Sequence, residues 1–169
     1  MNETEVDRVV AVLASLLPRR RRIHTLVDAL TPRLGPYTRP PLLSVAQGLL
    51  VHLRVDPHAI PLYLTIGARL WDGEQLAAVI ADLSQRNLLY LEVLETLHTA
   101  VRASVHASLL DLRLGGHADP RIRRLGLTAL VAAAAPKDGW TTERRARLDV
   151  YMADRSPEVA GPASFVWPP

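Results

Sequence analysis

One helix start is written twice near the C-terminal end of this chain. Asp119-Pro120-Arg121-Ile122-Arg123-Arg124-Leu125-Gly126 and Ser156-Pro157-Glu158-Val159-Ala160-Gly161-Pro162-Ala163 share a pattern: proline, any residue, a β-branched aliphatic, then a small residue four positions on. The copies are offset by 37 residues, from Pro120 to Pro157, Ile122 to Val159 and Gly126 to Ala163. Proline is at home in a first helical turn, where its missing amide donor is not needed. A repeat of this period implies a stack of helical units, each burying its apolar face against the next.

Composition narrows the core. Apolar residues make up 49% of the 169 residues, enough for a folded chain, yet aromatics reach only 5%. The core must therefore be built from Leu, Val, Ile and Ala, which suits close helix-on-helix packing. Cysteine is absent, which excludes disulfides, Cys-ligated zinc and thiol catalysis. The acidic opening Met1-Asn2-Glu3-Thr4-Glu5 does not have the form of a secretory signal. The longest apolar run, 125–135, is about half a bilayer span, so the expectation is a cytoplasmic protein with no membrane contact. Lys137 is the sole lysine, and the net charge of +3 is modest.

Apolar spacing and caps place the helices. Val6, Val9, Val10, Leu13, Leu16 and Leu17 predict an amphipathic capping helix over 1–17, stopped by Pro18. A basic helix follows from Arg19 to about Leu34. Pro40-Pro41 opens a third, and Asp56-Pro57 a fourth that runs to about Leu70. Asp72-Gly73-Glu74-Gln75 has the form of a capping box and starts a helix ending near Arg86. Residues 88–114 read as one long helix or as two joined near 102–104, and the usual length of a globular helix favours two. Asp119-Pro120 caps a helix through Ala135 that is apolar nearly all round, as a helix buried on two sides would be. Thr141 or Thr142 caps a basic helix over 142–154, and Ser156-Pro157 a short last one. The expected fold is all-α, a single domain over 1–169 of antiparallel helix pairs, about nine or ten helices and no sheet.

Asp119-Pro120-Arg121-Ile122-Arg123, with Gly126 and Leu130, resembles the second helix of a HEAT repeat. The second copy keeps Pro157, Val159 and Ala163 but has Ala160 where that family has arginine. The likeness is clearest over 118–169. It implies a short, curved α-solenoid used for protein–protein contact. It also implies structural roles for Asp119, Pro120, Ile122, Arg123, Pro157 and Val159, the Asp and Arg positions bonding neighbouring repeats.

Candidate chemistry is sparse. The run Arg19-Arg20-Arg21-Arg22 and the sets Arg121, Arg124 and Arg144, Arg145, Arg147 are the candidate contacts for a partner protein or a nucleic acid. Trp71, Trp140 and Trp167 are not interleaved with these arginines, which favours a protein over a nucleic acid. Glu95-Thr96-Leu97-His98 has the spacing of one half of a di-iron site, but the second half and the extra carboxylates are missing. No His precedes Glu, the dipeptide used by HEAT-like hydroxylases. No phosphate loop, nucleophile elbow or zinc-protease motif occurs. The expectation is a non-catalytic scaffold for another protein, part of a larger assembly, with no metal, cofactor or small-molecule substrate. Nucleic-acid association through the arginine faces is the alternative. An enzyme built on Glu92, Glu95 and His98 is the weakest reading.

Overall fold

The computed structural model describes residues 3–15, 40–135 and 139–168. The basic helix expected from Arg19 to Leu34, and with it Arg19–Arg22, lies outside the described residues. The described residues form nine α-helices and no strand, so the all-α expectation holds. The chain divides into two compact units, Met1–Trp71 and Asp72–Pro169.

The first unit contains α1 (Glu3–Ser15), α2 (Pro40–Leu53), a 3-10 turn (Pro57–Ala59) and α3 (Ile60–Gly67). Helix α2 packs against both α1 and α3. Val10, Val45, Leu49, Leu53, Ile60, Leu64 and Ile66 are buried there. Asp56 starts the turn by accepting the His58 amide at 2.9 Å. Pro61 falls in the first turn of α3, where it costs no hydrogen bond. The helix expected to reach Leu70 stops at Gly67. The amides of Leu70 and Trp71 both donate to the Gly67 carbonyl, and the Trp71 ring covers this glycine and packs on Tyr63 with centroids 4.9 Å apart.

The second unit contains α4 (Gly73–Gln85), α5 (Leu91–Ala103), α6 (Ala107–Leu114), α7 (Pro120–Ala134), α8 (Thr142–Met152) and α9 (Pro157–Ser164). Asp72 and Gln75 form the expected capping box at 2.8 and 3.0 Å. Helix α4 ends at Gln85, and two residues on Asn87 takes a left-handed φ of 55°. The Asn87 and Leu88 amides then close onto the carbonyls of Ser84 and Leu83, the Schellman arrangement. The break between α5 and α6 falls at 104–106. Ser104 is extended there, and its hydroxyl accepts the His106 amide at 3.1 Å, which offers the backbone a turn in place of another helical bond. At α9 the cap differs from expectation. Ser156 makes no side-chain capping bond, and its own amide donates to Asp154 instead, at 2.8 Å.

Helix α7 packs against α5, α6, α8 and α9, while α4 packs on α6 and α8 on α9. Its residues Ile122, Leu125, Leu127, Ala129, Leu130 and Ala134 are buried, matching the reading of a helix covered on more than one side. Close approach at the α6–α7 crossing depends on Gly126. A Cβ there would lie 2.8 Å from the Gly115 nitrogen and 2.6 Å from the Tyr151 hydroxyl.

Candidate functional site

Charged side chains tie the turns of the second unit to one another. Asp119 caps α7 through the Arg121 amide at 2.9 Å and is ion-paired with the Arg121 guanidinium at 2.7 Å. It also accepts the hydroxyl of Ser84, at the end of α4, at 3.3 Å. Arg121 reaches on to the Leu89 carbonyl at 3.1 Å, in the turn between α4 and α5. In the other direction Arg123 forks onto Asp154, in the turn between α8 and α9, at 2.7 and 2.8 Å. Its remaining terminal nitrogen donates to the carbonyls of His117 and Ala118. Pro120 and Pro157 each open a helix, and Ile122 and Val159 are fully buried beneath them.

A second polar cluster lies between α6 and α8. Asp111 is 4% exposed and accepts the Arg147 guanidinium at 2.9 Å and the Tyr151 hydroxyl at 2.8 Å. Burial and the adjacent carboxylate push the Tyr151 hydroxyl well above the usual phenol range, so it stays a donor. Among the described residues no buried side-chain polar atom lacks a partner.

The structure therefore separates the arginines that the sequence grouped. Arg121 and Arg147 hold carboxylates of this chain. Arg144 bonds the Gly139 carbonyl and the Ser108 hydroxyl. Arg145 is exposed on α8 and reaches the Trp140 carbonyl at 3.4 Å. Arg124 is exposed and lines a groove instead.

That groove, about 480 Å³ in volume, runs between α5, α7 and α9. Its polar rim is His98 and Arg102 from α5 and Arg124 from α7. Its apolar walls are Leu127, Val131 and Ala132 from α7, with Pro162 and Val166 from α9 and the segment after it. His98 with Arg102, and Arg124 with Thr128, are pairs four residues apart, each on one face of its helix. The two pairs meet where His98 Nδ1 lies 2.8 Å from the Thr128 hydroxyl. That hydroxyl also lies 3.1 Å from the Arg124 carbonyl, within reach to donate to it. Burial, then the nearby charges of Arg124 and Arg102, hold the His98 imidazole below its usual pKa. The ring is thus neutral at pH 7, and the rim charge comes from the two guanidiniums.

No carboxylate lines this groove, and neither Arg102 nor Arg124 has a carboxylate partner among the described residues. Sequence reading did not single out Arg102 or Thr128. Their spacing to His98 and Arg124 was visible, but nothing in the chain said that those two helix faces adjoin. Glu92 and Glu95 are exposed on α5 and are not part of the groove. No group of three or more His, Asp or Glu residues is placed to hold a metal ion among the described residues. None of the described helices is long and apolar enough to cross a membrane.

Comparison with family models, with curated proteins and with solved structures returned no match.

Proposed function

We propose that this chain is a non-catalytic α-helical repeat scaffold that binds another protein. In this reading α6–α7 and α8–α9 are successive hairpins of a HEAT-like stack, and α4 and α5 extend it by packing on α6 and α7. Support comes from the next-but-one packing of α4 on α6, α5 on α7 and α7 on α9, from the Arg123–Asp154 pair, and from the bonds of Asp119 to Ser84 and of Arg121 to the Leu89 carbonyl, which join one turn to another. Stacked repeats contact only their neighbours and leave extended surfaces for partners.

The observation that carries the reading is the open groove of α5, α7 and α9. It combines apolar walls with two arginines that no carboxylate of the described chain engages. Arginine beside apolar surface is characteristic of protein interfaces. Of the arginines first grouped as contacts for a partner protein or a nucleic acid, Arg121, Arg144 and Arg147 are divided among separate internal bonds, while Arg124 faces the groove with its apolar walls, which supports a protein partner over a nucleic acid.

The test is affinity capture of the tagged chain followed by reconstitution with each purified candidate. A protein that binds the isolated chain directly is the expected result. Failure of every candidate to bind directly, together with tight, strongly salt-dependent binding of labelled DNA or RNA, would replace this reading with the nucleic-acid one.

A further inference from the structure

We propose that the α5–α7–α9 groove receives a partner segment in which an aspartate or glutamate stands next to a branched aliphatic or aromatic side chain. This rests on the scaffold reading and names the contact that the scaffold makes.

Charge complementarity sets the first requirement. Arg86, Arg113, Arg121, Arg123 and Arg147 each pair with a carboxylate of this chain. Among the described residues Arg102 and Arg124 have no such partner, although both stand at the rim of one groove. Like charges gathered around a single opening repel, and an incoming anion relieves that repulsion. A guanidinium offers a planar fork that matches a carboxylate with two parallel hydrogen bonds. A neutral His98 between them adds no competing charge and no competing carboxylate.

The groove walls set the second requirement. Val131 is 37% exposed on α7, and Pro162 and Val166 are half-buried opposite it. A free carboxylate or a phosphate alone would leave that apolar surface wet. A side chain such as leucine or phenylalanine beside the acid would cover it and remove that apolar area from water. The volume of about 480 Å³ accommodates both groups and lies within the range of about 300–1,000 Å³ typical of ligand sites. Among the described residues no aromatic ring lines the groove, so they offer no stacking platform of the kind on which single-stranded nucleic acids settle.

The experiment selects a displayed library of random peptides on the purified full chain. Enriched peptides should share an acidic residue adjoining an apolar one. Arg102→Glu with Arg124→Glu should weaken them by at least about tenfold. Both side chains are exposed, so the double variant should keep the thermal midpoint of the parent. Bound peptide should also shift the side-chain Nε–H NMR signals of Arg102 and Arg124. Peptides that bind the double variant as well as the parent would overturn the groove while leaving a scaffold that binds elsewhere. Enriched peptides without an acid, or no enrichment at all, would also overturn it. So would a labelled single-stranded oligonucleotide whose binding is lost in the double variant. The scaffold reading itself stands on direct partner binding and is judged separately.

Discussion

Arg123 at the start of α7 grips both carboxylate oxygens of Asp154, 31 residues further along, at 2.7 and 2.8 Å. Both side chains are about nine-tenths buried. The pair spans from the turn before α7 to the turn before α9, and Arg123 simultaneously holds the His117 and Ala118 carbonyls. One side chain therefore orients two turns.

Arg123→Ala should destabilise the second unit by about 2–3 kcal/mol, because it leaves a buried carboxylate and two carbonyls without their donor. The thermal midpoint should fall by roughly 10 °C. Asp154→Ala should cost a similar amount, and the double variant should cost less than the two single changes added together. Strict additivity in urea unfolding would show that the pair is not coupled.

Acid should remove part of this stability. Hydrogen bonds from Arg123 hold the Asp154 carboxyl below its usual value of 3.8, and those from Arg121 do the same for Asp119. As pH falls, the unfolded chain binds these protons first. The contribution is thus fully present above the unfolded value and is lost as pH drops through the lower folded value. Urea midpoints followed from neutral pH to about pH 2 should decline, and Arg123→Ala should decline less steeply across the acid window. Parallel curves for parent and variant would contradict the assignment.

Gly126→Ala sets two effects against each other. Alanine is the better helix former by about 1 kcal/mol. The new Cβ, however, meets the Gly115 backbone and the Tyr151 hydroxyl, and overpacking of this kind costs about 1–3 kcal/mol. The net expectation is a loss of about 1 kcal/mol, because backbone cannot step aside as a flexible side chain can. In a Tyr151→Phe background one of the two collisions disappears, so the penalty of Gly126→Ala should shrink. A stabilising Gly126→Ala in chemical denaturation would refute the close approach.

His98 should titrate below 6.5 when its ring protons are followed by NMR, because burial and the charges of Arg124 and Arg102 disfavour the imidazolium. Arg124→Gln removes one of those charges and should move the pKa upward. Since the folded value is depressed, the unfolded state takes up this proton first. The histidine's contribution is present above 6.5 and diminishes as pH falls toward the folded pKa. A ring titrating at or above 6.5 in the parent would contradict the placement.

Much of the helical order could be read from local chemistry. Asp56, Asp72, Asp119 and Thr141 each announce a helix start and each accepts a backbone amide there. The break after α5 was anticipated from helix length, within two residues of where Ser104 makes its turn. Ser156 misled for a reason of geometry. Asp154, two residues earlier, already holds the Ser156 amide, and the short helix starts on its proline without a side-chain cap. The arginines were harder. Spacing along the chain places Arg144, Arg145 and Arg147 together, yet Arg147 turns to Asp111 on α6 and Arg144 to Ser108 at the start of α6.

Local sequence dictates the all-helical class and most helix boundaries of the described residues, because caps, prolines and apolar spacing act within a few residues of where they are written. Tertiary structure alone decided which helix faces adjoin. It bonded Arg123 to Asp154 and Asp111 to Tyr151, and it set His98 and Arg102 of α5 beside Arg124 and Thr128 of α7. Partners some 30 to 40 residues apart are chosen by packing geometry and by the need to satisfy buried polar groups, and neither leaves a periodic mark on the chain.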